Sequence, residues 1–275
     1  MDRDFTVYGH RGARGLFAEN TLPGFTAAIG LGLRHIELDV TLTADDVVVV
    51  THDPCLNPAL TRDRGGTWLV EAGPPIRQLS FAALRDYDVG RIRPGSDEAA
   101  RFPAQLPAEG ARIPRLDEVL ALDLSVTWLI ELKTFPDRPD LTAAPEHLAE
   151  CVLAVAAAQQ ASTRIIIESF DWRGPRYVSA HHPEIALAWL SAARARGAPR
   201  VIADEARGAI NAARWVPQWA ELDERIVAEA QALGLAVIPW DVNMPHEIAR
   251  AIAWGVDGII TDRPDLALHS LAAPA

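Results

Sequence analysis

Cysteine, lysine and long apolar runs are all scarce in this chain of 275 residues. The two cysteines, Cys55 and Cys151, stand far apart, which favours a reduced cytoplasmic protein over a disulfide-bonded scaffold. No apolar run approaches the roughly 20 residues that a membrane-spanning helix requires. The amino terminus also lacks a basic segment followed by an apolar one, so no secretory signal is expected.

Positive charge is scarce as well. The formal net charge is −11 at pH 7, which argues against nonspecific binding to nucleic acid or to an anionic membrane surface. An anionic substrate would therefore need a local positive pocket. Of the 26 basic residues, 25 are arginine, and the single lysine, Lys133, lies in a predicted strand. Keeping one lysine among so many arginines indicates a need for a compact point charge at that position.

Titratable side chains are concentrated near the amino terminus, at the ends of predicted strands. His10 and Arg11 follow the first strand. Glu37 and Asp39 lie two apart in the second strand and so share one of its faces, and His52 follows its return arm. Two carboxylates on one face repel each other, and a bound cation is the simplest remedy. The stretch therefore combines a candidate acid–base pair, a cation site and an anion anchor.

The return arm is predicted from its spacing. The run Val47–Thr51 follows the second strand too closely for a parallel crossover, which needs a dozen or more residues. We therefore expect an antiparallel hairpin turning at Asp45 and Asp46. A two-residue turn there would place Asp39 directly opposite His52.

Strand and helix patterns then alternate along the chain, which predicts an α/β fold. Eight β/α units in one domain of this length are typical of a TIM barrel, here with the hairpin and a lobe inserted after the second barrel strand. We expect residues 1–275 to form one domain, with 54–114 as an insertion or lid. A doubly wound sheet is the alternative, but no glycine-rich phosphate loop follows the first strand. The predicted barrel strands begin at Phe5, Arg34, Thr127, Arg164, Ile185, Arg200, Ala236 and Gly258.

The acidic residues at the strand ends favour a hard cation. Glu37, Asp39 and Glu131 offer oxygen ligands without a thiolate, which suits Mg²⁺, Ca²⁺ or Mn²⁺ better than structural zinc. With two histidines nearby, zinc stays an alternative. Lys133 and Arg11 add donors suited to a phosphodiester, and the histidines remain for proton transfer.

Two roles are open for several other residues at strand ends. Phe170 and Trp240 are expected either to line the glycerol end of a substrate or only to fill the barrel interior. Glu168 supports the site from behind or forms a structural salt bridge. Asp262 is expected to cap the last helix.

Sequence motifs along nearly the whole chain resemble those of the glycerophosphodiester phosphodiesterase family: HRGARG, ENTLPGF, IELDV, HDP, IELK, ESFDW and GVDGIITDRP. The resemblance implies a metal-dependent hydrolase that releases an alcohol and glycerol 3-phosphate from glycerophosphodiesters, with the glycerol hydroxyl as internal nucleophile. It implies these roles: His10 and His52 as general acid and base, Glu37, Asp39 and Glu131 as metal ligands, Arg11 and Lys133 as phosphate contacts, and Glu19 and Asn20 near the metal.

Three positions depart from the family pattern. Ala18 replaces the usual proline, Asp46 a common glycine, and Asp241 a frequent threonine, where it could alter the charge at the pocket mouth. Two alternatives to the expected activity stay open. One is a phosphodiesterase that acts on lysophospholipids or releases a cyclic phosphate. The other is a barrel that binds phosphodiesters without catalysis.

Overall fold

The computed structural model describes residues 5–192, 198–206 and 213–272. Strands and helices alternate, as expected. The strands are β1 (Thr6–Gly9), β2 (His35–Leu42), β3 (Val48–Val50), β4 (Thr127–Leu132), β5 (Ile165–Glu168), β6 (Ala186–Leu187), β7 (Trp189–Ser191), β8 (Arg214–Pro217), β9 (Ala236–Val237) and β10 (Gly258–Thr261). The helices are α1 (Leu22–Gly30), α2 (Phe81–Leu84), α3 (Asp97–Arg101), α4 (Leu116–Leu120), α5 (Pro145–Ala158), α6 (Arg173–His181), α7 (Ala198–Ala206), α8 (Glu224–Ala232), α9 (Pro245–Ala253) and α10 (Pro264–Ala272).

The strands form an open barrel made of two curled ladders. One ladder has the order β10-β1-β2-β4-β5-β6, with β3 antiparallel to β2, and the other has the order β7-β8-β9. The gap between β9 and β10 is bridged where Ile260 donates its backbone N–H to the carbonyl of Pro239 at 2.9 Å. Because the first strand pairs with the last, this is the predicted TIM-barrel arrangement rather than a doubly wound sheet. The predicted strand from Ile185 is divided between β6 and β7.

One predicted strand is wrong. The strand predicted to begin at Arg200 lies inside α7, and the barrel strand of this region is β8 instead. The four-residue apolar run was too short for its periodicity to distinguish helix from strand. Downstream, α8 begins at Glu224, because Asp223 caps it by accepting the N–H of Ile226 at 2.8 Å.

The hairpin register also differs from the prediction. Thr51 donates its backbone N–H to the carbonyl of Asp39 at 2.9 Å, so Asp39 faces Thr51 and not His52. The turn has three residues, 44–46, rather than two, and Asp46 takes the left-handed conformation with φ of 56°. A three-residue turn that ends in this conformation is a standard hairpin, and it shifts the pairing by one position. Aspartate tolerates the conformation at the position where the family pattern has glycine.

Two apolar layers support the barrel. The outer layer packs helices against strands, for example where the ring of Trp128 meets Phe25 edge to face at 5.5 Å between centroids. The inner layer lies inside the barrel and includes Tyr8, Leu129 and Ile260. Burial raises the pKa of Tyr8 to about 12. The inner layer fills the barrel below the C-terminal strand ends, and polar groups are left to converge above it.

Residues 51–115 connect β3 to α4 and pack around a small apolar core of their own. This core contains Leu56, Ile76, Leu84 and Ile113. The same segment reaches the first loop of the barrel, because Leu106 donates its backbone N–H to Leu16 at 2.8 Å. Its role as a lid stays a prediction. In the described part of the chain, both cysteines are free thiols, and no helix combines the length and apolarity needed to cross a bilayer.

Candidate active site

The first histidine is fixed by a tight turn at the end of β1. Gly9 has no room for a side chain, because a Cβ atom there would lie 2.0 Å from the carbonyl oxygen of Gly12. His10 follows directly, and its Nδ1 lies 2.7 Å from Asp262 Oδ1 and 3.0 Å from Asp241 Oδ1. With Nδ1 facing these carboxylates, Nε2 is the nitrogen left for a ligand.

Two strained residues connect this turn to the acidic groups. Arg11 and Asn20 both have left-handed backbone, with φ of 50° and 52°. In this conformation Arg11 donates its backbone N–H to Glu37 Oε2 at 2.8 Å, and Asn20 donates its amide to Asp39 Oδ2 at 2.9 Å. The Arg11 guanidinium bonds Glu19 Oε1 at 2.9 Å. Backbone strain of this kind costs roughly 1–3 kcal/mol per residue and concentrates at functional sites.

A row of acids crosses three neighbouring strands. Strand register places Asp39 of β2 beside Glu131 of β4, and Glu131 beside Glu168 of β5. Oxygens of Glu37, Asp39 and Glu131 lie within 4.8 Å of one another and could hold a metal ion. Lys133 Nζ lies 2.9 Å from Glu131 Oε1 and 3.6 Å from Asp39 Oδ1.

Burial and mutual repulsion perturb these carboxyls strongly. Burial and the charge of Asp39 raise the pKa of Glu37 well above its usual value. Burial also raises the pKa of Glu131 and, with the charge of Glu131, that of Glu168. Burial alone would raise the pKa of Asp39 too, but the charges of Arg11, His52 and Lys133 hold it far below its usual value. The nearby cations therefore offset the burial of Asp39 but not that of the three glutamates.

The second histidine is oriented from its own loop. His52 Nδ1 lies 2.7 Å from Asp53 Oδ1, and Asn57 donates to Asp53 Oδ2 at 2.6 Å. Each of the two histidines thus has a carboxylate at Nδ1, which is the arrangement that positions an imidazole for proton transfer through Nε2.

These groups meet in one cavity of about 220 Å³ at the C-terminal ends of the strands. The structure therefore brings all twelve predicted site residues together. Nine of them line the cavity: His10, Arg11, Glu37, His52, Glu131, Lys133, Glu168, Phe170 and Trp240. The other three lie behind the cavity wall. Glu19 and Asp39 contact Arg11, and Asn20 donates to Asp39.

Sequence reasoning missed several residues around His10. Asp262 was expected to cap a helix, but its carboxylate accepts hydrogen bonds from His10 Nδ1, from Arg14 Nε at 2.6 Å and from Asn243 at 2.8 Å. Arg14 also bonds Asp241 at 3.1 Å. The position of Asp262 after the last strand was a usable signal, since barrel sites draw on every strand end. Arg14 gave no such signal.

Comparisons with known proteins agree with this geometry. A model of the glycerophosphoryl diester phosphodiesterase family matches residues 10–266. A glycerophosphodiester phosphodiesterase of Bacillus subtilis is 26% identical over 273 residues, which cover 96% of this chain and 85% of that protein.

Solved structures are similar over almost the full length. One, from Silicibacter pomeroyi, carries a provisional name as a glycerophosphoryl diester phosphodiesterase. It is 35% identical, with a TM-score of 0.91 and coverage of 98% of this chain and 94% of that chain. A phosphodiesterase of Oleispira antarctica, solved with the product sn-glycerol-3-phosphate, is 21% identical. Its TM-score is 0.77, and the match covers 98% of this chain and 97% of that chain.

Proposed function

This chain belongs to the glycerophosphoryl diester phosphodiesterase family, and from that premise we propose the reaction and the role of each residue. The protein hydrolyses glycerophosphodiesters to an alcohol and sn-glycerol 3-phosphate, with His10 and His52 as its acid–base pair. One observation carries the proposal: two carboxylate-oriented histidines, a cluster of acids and two buried cations all converge on a single cavity. The lysolipid and cyclic-phosphate alternatives differ only in substrate or final product.

The acidic cluster fits a divalent cation. Three carboxylates supply oxygen ligands within 4.8 Å of one another, and among the described residues the buried Asp39 Oδ1 accepts no hydrogen bond. Burying that much negative charge is costly unless a cation compensates it. Glu37, Asp39 and Glu131 would hold the ion, and the oxygen donor set favours Mg²⁺ or Ca²⁺, with Mn²⁺ as an alternative. When bound, the cation neutralises charge on a phosphoryl oxygen as a Lewis acid.

Arg11 and Lys133 bind the phosphodiester. Lys133 is only 8% exposed and the side chain of Arg11 only 11%, so their charges act where water screens them poorly. Lys133 keeps its charge because Glu131 and Asp39 raise its pKa against the opposing effect of burial. The two cations orient the phosphate between the histidines.

The histidines move the protons. One imidazole takes a proton from the attacking hydroxyl, and the other protonates the leaving alcohol. A hydroxyl of the glycerol moiety itself is the nucleophile that the site favours, because a tethered group has a large effective concentration relative to water. Water then opens the cyclic phosphate, and sn-glycerol 3-phosphate is released.

A substrate panel followed by phosphorus NMR tests the proposal. Glycerophosphocholine, glycerophosphoethanolamine and a lysophospholipid are incubated with and without chelator. We expect glycerol 3-phosphate from the first two substrates and loss of turnover in chelator. Accumulation of cyclic phosphate, or turnover of the lysolipid alone, would replace the proposal with one of the open alternatives. A protein that binds these substrates without turnover would contradict the catalytic assignment.

A further inference from the structure

Glu168 is a buried carboxyl to which the proposed mechanism gives no task. It ends β5, level with Glu131 on the neighbouring strand, and it is only 1% exposed. It nevertheless lines the catalytic cavity, and its Oε2 has no hydrogen-bond partner among the residues that the structure describes. A buried polar atom without a partner is costly, so such an atom at a cavity wall is a candidate for ligand binding.

The neighbours of Glu168 are already engaged. The group that could hold the cation contains Glu37, Asp39 and Glu131 but not Glu168. The other charged groups of the cavity have protein partners: Arg11 with Glu19, Arg14 with Asp262 and Asp241, Arg101 with Asp241, Lys133 with Glu131, His10 with Asp262 and His52 with Asp53. Glu168 is therefore the cavity carboxyl left over after the cation, the phosphate and the histidines are accounted for.

Two aromatic rings line the same cavity as Glu168. Phe170, two residues further along the same chain segment, meets Trp240 edge to face at 5.5 Å between ring centroids. Phe170 is 43% exposed, and both rings line the cavity. A carboxyl beside aromatic faces suits a small polyol, whose hydroxyl groups need polar partners while its C–H groups pack against rings.

We propose that Glu168 binds a hydroxyl group of the substrate's glycerol moiety and so makes the site prefer glycerol phosphates to phosphate alone. The inference rests on the proposed function, because it assumes that the phosphate lies between Arg11 and Lys133. A hydroxyl can donate or accept, so it pairs with Glu168 whether the carboxyl is ionised or protonated.

Calorimetry with two ligands tests the assignment. Binding of sn-glycerol 3-phosphate and of inorganic phosphate is measured in Mg²⁺ buffer for the wild type, Glu168→Leu and Glu168→Gln. Leucine has similar bulk but cannot bind a hydroxyl, and we expect about tenfold weaker binding of sn-glycerol 3-phosphate with phosphate binding unchanged. Glutamine can donate and accept, and it should restore affinity to within about threefold of the wild type.

Glu221→Gln is the matched control. Glu221 is also a carboxyl whose pKa is raised by burial and whose Oε1 lacks a partner in the described chain, but it lies outside the cavity. Its substitution should leave both affinities unchanged. If Glu168→Leu weakens both ligands equally, or neither, the glycerol contact is wrong while the proposed function stands. If the wild type neither turns over glycerophosphodiesters nor binds sn-glycerol 3-phosphate, the proposed function itself fails.

Discussion

Acidic residues crowd two sides of the same cavity, and the two sides differ in how their charge is balanced. On one side, Glu37, Asp39 and Glu131 lie close enough to share a metal ion. On the other, His10, Asp241 and Asp262 are equally close. We call these the acid cluster and the histidine cluster.

The two clusters differ in how completely neighbouring cations offset the burial of their carboxyls. In the histidine cluster, Arg14 bonds both Asp262 and Asp241, and Asp262 also accepts from His10. Burial alone would raise the pKa of Asp262, but the charges of His10 and Arg14 hold it well below its usual value. In the acid cluster, the pKa of Glu37 is instead raised by burial and by Asp39. Within the acid cluster, nearby cations hold down the pKa of Asp39 only, so the raised pKa values of Glu37 and Glu131 mark the carboxyls that a bound cation would compensate.

The largest expected effect is on catalysis, in which both sides take part. His10→Ala or His52→Ala should lower kcat by about 10²–10⁴-fold, because each variant loses one proton-transfer group. The measurement is hydrolysis of glycerophosphocholine under saturating Mg²⁺, with thermal unfolding to show an intact fold. His269→Ala, on α10, is the control and should keep full activity. Full activity in either cavity variant would remove that histidine from the acid–base pair.

The next effect separates the two clusters directly. Glu37→Gln should weaken Mg²⁺ binding at least about tenfold in calorimetry, since it removes a charged ligand from the acid cluster. Asp241→Asn makes the same chemical change in the histidine cluster and should leave Mg²⁺ affinity unaltered. Equal losses in both variants would mean that the cation is not confined to the acid cluster.

Lys133→Arg tests whether the acid cluster needs a compact charge. The ammonium group lies between Glu131 and Asp39 and is almost fully buried, so the larger planar guanidinium should not fit. We expect kcat/KM for glycerophosphocholine to fall about tenfold. Arg138→Lys, which alters an exposed pair with Asp140, is the surface control. Unchanged kcat/KM in Lys133→Arg would show that any cation suffices there.

The pH dependence of stability should have opposite signs for Asp262 and Glu168. The folded-state pKa of Asp262 is depressed, so its stabilisation is present above the unfolded pKa of about 4 and is lost as pH falls. Asp262→Asn should therefore lower Tm by a few degrees at pH 7, with the deficit narrowing below about pH 4. Calorimetric scans in chelator from pH 3 to 8 would measure it, and a deficit independent of pH would contradict the charge balance described for this cluster.

The smallest effect should come from Glu168→Gln. The folded-state pKa of Glu168 is raised, so its ionisation destabilises the fold as pH rises above the unfolded value of about 4.3. The variant should thus be more stable than the wild type at pH 7, by about 2–4 °C in Tm, with the gain vanishing near pH 4. The same calorimetric scans measure this difference. A lower Tm for the variant than for the wild type at pH 7 would indicate that the Glu168 carboxylate has hydrogen-bond partners within the protein.

Local patterns predicted most of the fold and the members of the site. The residues Asn20, Thr21 and Pro23 predict a helix start because capping and an early proline act within one turn, and of the two candidate caps Thr21 accepts the N–H of Gly24 at 3.1 Å. Alternation along β2 likewise put Glu37 and Asp39 on one face. The short run Arg200–Ala203 failed because four residues do not define a period.

The sequence by itself determined which chemical groups are available and on which strand ends they lie, because alternation, capping and turn chemistry act over a few residues. Only the tertiary structure decided which groups became partners. His10 and Asp262 are 252 positions apart, and they meet because β1 pairs with β10. Arg14 neutralises one acidic cluster and not the other because of where its loop packs, and no local pattern encodes that distance in space.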